Sequence, residues 1–281
     1  MAASQTQTSS LREVAGTVVL IGAGKMGSAM LDGWIGLGLE PSRVAVIEPQ
    51  PTPEISALAS RGLKLNPNPC AVPDSAVVVI AAKPQDAAEV VPAAVPLVGR
   101  STVVVSIMAG QRLASLERAL PAGSAVVRTM PNTPAAIGRG ITVAVANSRV
   151  SPPQRDLAHR LLAAIGAVEW VEDEGLLDAV TAVSGSGPAY VFLLAETLAQ
   201  AGAAAGLPAE LAERLARATV AGSGELLHRS DLDAPHLRRN VTSRGGTTEA
   251  ALAVLMGRNG LAPLMRRAVD AATRRSRELA G

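Results

Sequence analysis

Aromatic side chains are almost missing from this chain: two Trp, one Tyr and one Phe among 281 residues. That scarcity counts against single-stranded nucleic-acid binding, which relies on stacked rings. It also means that the core is built from Ala, Val, Leu and Ile. Cysteine occurs once, as Cys70, so no intramolecular disulfide can form and a reducing compartment fits. Cys70 itself reads as an incidental loop residue. Lysine is confined to Lys25, Lys64 and Lys83. The three histidines, His159, His228 and His236, lie in polar helical surroundings and read as solvated. No Tyr-x-x-x-Lys pair and no Cys/His cluster with metal-ligand spacing occurs, so no metal is expected. The first sixteen residues are Ser/Thr/Gln/Ala-rich without an apolar stretch and read as a disordered leader, not a signal peptide. No segment is expected to cross a membrane, because the longest candidate, 187–206, is interrupted by Glu196. The expectation is a soluble cytoplasmic protein with neither a membrane nor a nucleic-acid partner. The formal net charge is only +2. The arginine cluster Arg266, Arg267, Arg274, Arg275 and Arg277 reads as the solvated face of a last helix.

What is present is a change of pattern along the chain. Short β-branched runs at 17–21, 43–48, 76–81, 102–107, 125–129, 141–146 and 167–171 alternate with helical segments at about 25–38, 53–61, 84–94, 111–120 and 152–165. Near-continuous Val/Ile strands separated by helices predict a parallel sheet covered on both faces. From Glu174 onward the signal is helical throughout, over about 174–183, 187–206, 208–229, 234–241, 247–257 and 261–279. The helix at 187–206 carries almost no charge on any face. Such a helix must be buried all round, which predicts a dimer whose helices share one core.

Gly22-Ala23-Gly24-Lys25-Met26-Gly27 follows the first strand and opens the first helix. In that setting G-x-G-x-x-G is the dinucleotide fingerprint, with Gly22 for the tight turn, Gly24 for close approach of a pyrophosphate and Gly27 for helix–strand packing. Glu48 closes the second strand, about twenty residues beyond the fingerprint, at the ribose position. A carboxylate there accepts from a 2′-hydroxyl and repels a 2′-phosphate. The lean is therefore toward NADH, although Arg43, Arg61 and Lys64 leave NADPH open. The loops Ala81-Ala82-Lys83-Pro84, Ser106–Gly110 and Met130–Pro134 each end a strand, where open α/β sheets bind ligands.

Alcohol oxidation needs a base for the hydroxyl proton, and the obvious bases are absent. A protonated imine is already activated, so its reduction needs positioning, a carboxylate anchor and one hydroxyl to relay a proton. Val241–Leu252 offers such a place. Ser243, Thr247 and Thr248 carry hydroxyls, and the Gly245–Thr248 backbone at a helix start suits a small anion. Simple helix capping by Thr247 or Thr248 is the competing reading.

Val183-Ser184-Gly185-Ser186-Gly187-Pro188-Ala189-Tyr190, together with Val241–Thr248, resembles the signature of the pyrroline-5-carboxylate reductase family. The similarity continues through Ile21–Met26, Ala81–Pro84, Met130–Pro134 and Leu177–Thr181, covering about 17–279. The resemblance implies reduction of 1-pyrroline-5-carboxylate to L-proline with NADPH or NADH. It implies an α/β architecture: a Rossmann-type dinucleotide-binding domain over 17–173, then an all-helical dimerisation and substrate domain over 174–281. In the family the helical domains interlock as homodimers, often assembled into decamers, with the active site between nucleotide domain and dimer helices. Carried over by position, Ile21, Gly22, Ala23, Gly24, Lys25, Met26, Asn68, Ala81, Ala82, Lys83, Pro84, Ile107, Met108 and Ala109 contact cofactor, and Asn240 lies near the nicotinamide ribose. Ser243, Gly246, Thr247 and Thr248 hold the substrate carboxylate, with Thr248 as proton donor, and Glu174 matches a substrate-site glutamate of some members. Two positions depart from the pattern. Members that favour NADPH usually carry Ser, or a Ser/Arg pair, at Glu48-Pro49. Arg244 replaces a common proline and either adds charge beside the carboxylate or faces solvent. A β-hydroxyacid dehydrogenase-like reductase shares the fingerprint but needs a lysine in its helical domain, and none follows Lys83. A non-catalytic dinucleotide sensor is the other alternative.

Overall fold

The computed structural model describes residues 10–72 and 75–279. Eight strands form one sheet: β1 Thr17–Ile21, β2 Val44–Ile47, β3 Lys64–Leu65, β4 Ser75–Ile80, β5 Val103–Ser106, β6 Ala125–Met130, β7 Gly140–Ala146 and β8 Gly166–Trp170. The order is β3-β2-β1-β4-β5-β6-β7-β8. Around and after the sheet come α1 Lys25–Gly36, α2 Pro53–Leu58, α3 Ala87–Ala93, α4 Leu113–Ala119, α5 Pro152–Ala163 and α6 Leu176–Val180. A π-helical turn over Thr181–Gly185 follows, and then α7 Gly187–Ala204, α8 Ala209–Arg229, α9 Ala234–Asn240, α10 Thr247–Leu255 and α11 Leu261–Leu279. The architecture is the expected α/β sheet followed by helices. The chain divides into two compact units, a helical one over Ser186–Ala272 and a sheet unit that takes in residues up to Gly185 and the end of α11.

Alternation of side chains along each strand gives the sheet unit a core on either face. Val18, Leu20, Val77, Val79, Val103 and Val105 pack on one face with Met30, Leu31 and Trp34 of α1. Val19, Ile21, Val78, Ile80 and Val104 pack on the other with Val91 and Leu116. Both faces are apolar, which is why the strands read as unbroken Val/Ile runs. Trp34 is fully buried, and its Nε1 donates to the Leu161 carbonyl at 2.9 Å.

Four points differ from the expectations or add to them. First, the sheet is mixed, because β7 runs antiparallel to β6 while the other neighbours are parallel. Only 131–139 connect β6 to β7, too little chain for a parallel crossover, which needs about a dozen residues or more. Second, β3 has just two residues paired to Ala45 and Val46, a length at which no periodicity can show. Third, the leader reading fails for residues 10–16. Leu11 and Val14 are buried in the core, the Leu11 amide donates to Leu37 O at 3.0 Å, and Arg43 Nη1 donates to Val14 O at 2.7 Å. The polar composition around them hides two apolar anchors three residues apart. The rest of the leader, 1–9, lies outside the described residues. Fourth, Leu176–Ala204 is, by length and composition, long and apolar enough to cross a bilayer, with mean hydropathy 1.3. One glutamate in α7 does not offset its Ala/Leu content.

In the helical unit α7 packs on α8, where Gly202 faces Ala212 closely enough that an added Cβ would lie 3.3 Å from the alanine Cβ. No residue of α7 is buried. Phe192 and Leu193 are 68% and 56% exposed, and Val191, Leu194 and Leu198 are exposed too. Among the described residues of the helical unit nothing covers this apolar surface.

Candidate active site

Four strand ends of the sheet unit are stepped together by backbone hydrogen bonds. The Gly22 amide donates to Ile47 O at 2.9 Å, Ala81 to Ile21 O at 2.7 Å and Ile107 to Ile80 O at 3.0 Å. The fingerprint turn, Glu48, Ala81 and Ile107 therefore share the carboxyl edge of the sheet, where this class of sheet binds ligands. Gly22 has φ +86°, and a Cβ on it would meet the Ala81 carbonyl at 2.8 Å, so only glycine fits the turn. A Cβ on Gly27 would collide with the Gly22 carbonyl. Around Gly24, by contrast, nothing lies within 4 Å of where a Cβ would stand.

The amides of Gly24, Lys25 and Met26 at the start of α1 make no hydrogen bond among the described residues. An open backbone, free amides and a helix N-terminus together fit a pyrophosphate. The Ala23 amide is committed elsewhere, donating to Glu48 Oε2 at 2.7 Å. Glu48 Oε1 accepts from the Gln50 amide at 3.0 Å, and the Glu48 backbone exchanges two bonds with the Asn66 side chain. Lys83 and Pro84 are exposed, Lys83 standing before the 3-10 turn Pro84–Asp86. Ala82 is partly buried and Met108 fully buried. The Met108 amide donates to Ser106 Oγ at 3.3 Å, and Ala109 is half-buried. Asn68 is occupied locally, its Oδ1 accepting from the Cys70 amide at 3.0 Å.

Asn132, in an expected ligand loop, and Glu174, the expected substrate-site glutamate, both make bonds within the sheet unit. Asn132 accepts from the Ile141 amide at 2.9 Å and donates through Nδ2 to Ser184 O at 3.2 Å, tying the loop after β6 to the π-helical turn. Glu174 Oε1 accepts from Arg128 Nη1 at 2.7 Å and from the Leu113 amide at 2.8 Å. Sequence reading missed Arg128. An arginine inside an apolar strand run was its only signal.

In the helical unit α9 leads into the turn before α10. Asp233 caps α9: its Oδ1 accepts from the His236 amide at 2.8 Å and lies 2.6 Å from His236 Nδ1. These bonds from His236 hold the Asp233 carboxyl below its ordinary value. Asn240 ends α9, exposed. Thr242 Oγ1 donates to Arg238 O at 2.6 Å, and the Gly246 amide donates to Ser243 O at 3.0 Å. Gly245 has φ +71°, and its amide donates to Glu249 Oε2 at 2.7 Å, so one donor of the expected nest is already taken.

Gly246 is the N-cap of α10 and no side chain caps that helix, so neither Thr247 nor Thr248 spends its hydroxyl on capping. The amides of Thr247, Thr248 and Glu249 and the hydroxyls of Ser243, Thr247 and Thr248 have no protein partner among the described residues. Ser243, Arg244 and Thr247 are exposed and Thr248 is half-buried. Converging free amides and hydroxyls at a helix N-terminus suit a carboxylate.

Two family models match separate stretches of the chain. Residues 174–279 match the family model described as pyrroline-5-carboxylate reductase dimerisation. Residues 17–110 match the one described as NADP oxidoreductase coenzyme F420-dependent. The chain is 39% identical over 264 residues to a pyrroline-5-carboxylate reductase of Pseudomonas aeruginosa, covering 94% of this chain and 96% of the relative. It is also 39% identical over 285 residues to that of Mycobacterium tuberculosis, covering 93% and 96%. Among solved structures, a pyrroline-5-carboxylate reductase from Coxiella burnetii superposes with TM-score 0.87 at 33% identity, over 95% of this chain and 100% of that one. The Plasmodium falciparum pyrroline carboxylate reductase with NADP bound superposes with TM-score 0.79 at 28% identity, over 95% and 99%. A fingerprint turn open at Gly24, a free-donor turn at Ser243–Thr248 and 39% identity to such an enzyme over 94% of the chain lead to one conclusion: the chain belongs to the pyrroline-5-carboxylate reductase family.

Proposed function

We propose that this protein reduces 1-pyrroline-5-carboxylate to L-proline at the expense of NADPH or NADH. The observation that carries the reading is the donor set at 243–249: three helix-start amides and three hydroxyls without protein partners among the described residues, in a chain with no lysine after Lys83. That set suits an anionic substrate that needs no strong base. The reduced nicotinamide, when bound, supplies hydride to the imine carbon, and the imine nitrogen becomes an amine. Ser243, Gly246 and Thr247 hold the substrate carboxylate through hydroxyl and amide donors. Thr248 Oγ1 holds or relays the proton at the ring nitrogen. Gly24, Lys25 and Met26 bind the cofactor pyrophosphate through their amides, and Glu48 faces the adenosine ribose. Ile21, Gly22 and Ala23 shape the turn, while Ala81–Pro84, Ile107–Ala109, Asn68 and Asn240 complete the cofactor's surroundings.

The exposed Val191–Leu194 and Leu198 surface of α7 supports a homodimer formed through the helical domain. Burying that surface against a second copy accounts for the apolar stretch Leu176–Ala204 without a bilayer. Further assembly to decamers, the domain limits 17–173 and 174–281, and a cytoplasmic location belong to the same reading. A β-hydroxyacid dehydrogenase-like reaction lacks its lysine here. The test is turnover: purified protein should oxidise NADH or NADPH only when pyrroline-5-carboxylate is supplied, with proline as product. A well-folded oligomer that binds cofactor and oxidises none would leave the sensor reading standing instead.

A further inference from the structure

Arg128 is the one fully buried cation among the described residues, 5% exposed in β6 opposite Ser106 of β5. A cation so placed needs a close partner, since an unpaired buried charge is costly. It finds Glu174 Oε1 at 2.7 Å. The same oxygen accepts from the Leu113 amide at 2.8 Å. Leu113 is the first residue of α4, and the residue before it, Arg112, makes no side-chain cap. A carboxylate from 61 residues downstream therefore caps this helix. Negative charge at a helix start is favourable, and Arg128 keeps that charge in place.

The loop 107–112 hangs between β5 and this capped start. At its near end Ile107 is bonded to Ile80 O at 3.0 Å, and Thr129 Oγ1 donates to Ser106 O at 3.1 Å. In its middle Gly110 adopts φ +76°, with Leu279 O 3.1 Å from where a Cβ would stand. The far end has Glu174. We infer that Glu174, held by Arg128, is a positioning residue that fixes the start of α4 and with it the loop Ile107–Gln111, and that it is not a substrate ligand. This rests on the proposed contact of Ile107–Ala109 with the cofactor, and takes the nicotinamide half to be the part they meet.

The experiment compares full-length wild type, Glu174→Ala and Glu174→Gln by calorimetry. Two probes are used: whichever of NADPH or NADH the wild type prefers, and the matching ADP-ribose (with or without its 2′-phosphate), which lacks nicotinamide. Glu174→Ala should weaken cofactor binding at least about fivefold, since a loop no longer held in place must be ordered when the cofactor binds. It should leave ADP-ribose affinity within about twofold, since the fingerprint turn is untouched. Glu174→Gln, whose amide oxygen can still accept from the Leu113 amide but carries no charge for Arg128, should recover part of the loss. Should Glu174→Ala fail to fold, Leu113→Pro deletes the capped N–H at a helix position that tolerates proline, together with part of the Leu113 packing on the core, and should show the same selective loss with ADP-ribose affinity kept within about twofold. Equal weakening of both probes, or unchanged cofactor binding, overturns the inference. So does a raised KM for pyrroline-5-carboxylate alone, which marks Glu174 as a substrate ligand. A wild type that binds neither NADPH nor NADH overturns the cofactor reading itself.

Discussion

Glu48 Oε2 accepts the Ala23 amide at 2.7 Å, joining the end of β2 to the middle of the fingerprint turn 25 residues earlier. The carboxylate thus holds the turn, and in the proposed site it sets a negative charge beside the ribose. A 2′-phosphate brought there meets like charge, which costs up to several kcal/mol where charges are close. Glu48→Ser should raise the ratio of kcat/KM with NADPH to that with NADH by about tenfold or more, one decade being about 1.4 kcal/mol. Parallel assays with the two cofactors read this directly. An unmoved ratio would mean that Glu48 serves the turn alone.

Gly24 and Gly27 make opposite predictions from one motif. Open space surrounds Gly24, whereas a Cβ on Gly27 runs into the Gly22 carbonyl. Gly24→Ala should fold with an unchanged melting temperature but bind NAD(P)H roughly tenfold or more weakly, because the methyl group stands where the pyrophosphate approaches. Gly27→Ala should lose about 1–3 kcal/mol of stability, as overpacked sites do. Thermal denaturation beside cofactor titration separates the two.

The Thr248 hydroxyl makes no hydrogen bond among the described residues, so removing it should leave the fold intact. Thr248→Ala should lower kcat roughly tenfold or more, since a positioned proton donor is worth about 10²–10⁴ at most. Thr248→Ser should retain most of the rate. If Thr248→Ala keeps full kcat and changes only KM, the residue anchors substrate and relays no proton.

Phe192, 68% exposed on α7, should lie within the subunit interface. Phe192→Asp buries a charge on association and should shift the protein toward monomer, seen by light scattering, with a concentration-dependent fall in melting temperature. An assembly of unchanged mass would place the interface elsewhere.

Much of this was legible in the chain itself. The fingerprint spacing, the unbroken Val/Ile strands and the switch to helices after Glu174 are local patterns, and local geometry enforces them: a two-residue strand period, a helical period, and glycine where φ is positive. The hydroxyl-rich turn at Ser243–Thr248 was equally visible as a helix start. Whether its threonines cap that helix was not, because only the backbone path shows Gly246 in the N-cap position.

Tertiary structure decided the rest. Arg128, Glu174 and Leu113 meet across 46 and 61 residues, and Asn132 braces Ser184 across 52. Sequence carries no period linking such partners, since their meeting follows from how strands and helices pack. The same holds for Leu11 and Val14, two apolar residues that acquire meaning only once a core exists to receive them. It holds as well for β7, whose direction is set by the length of one loop. The sequence by itself determined the chemistry that the chain can perform. Packing decided which of its charged groups stand free for a ligand and which, like Glu174, are committed to holding the frame.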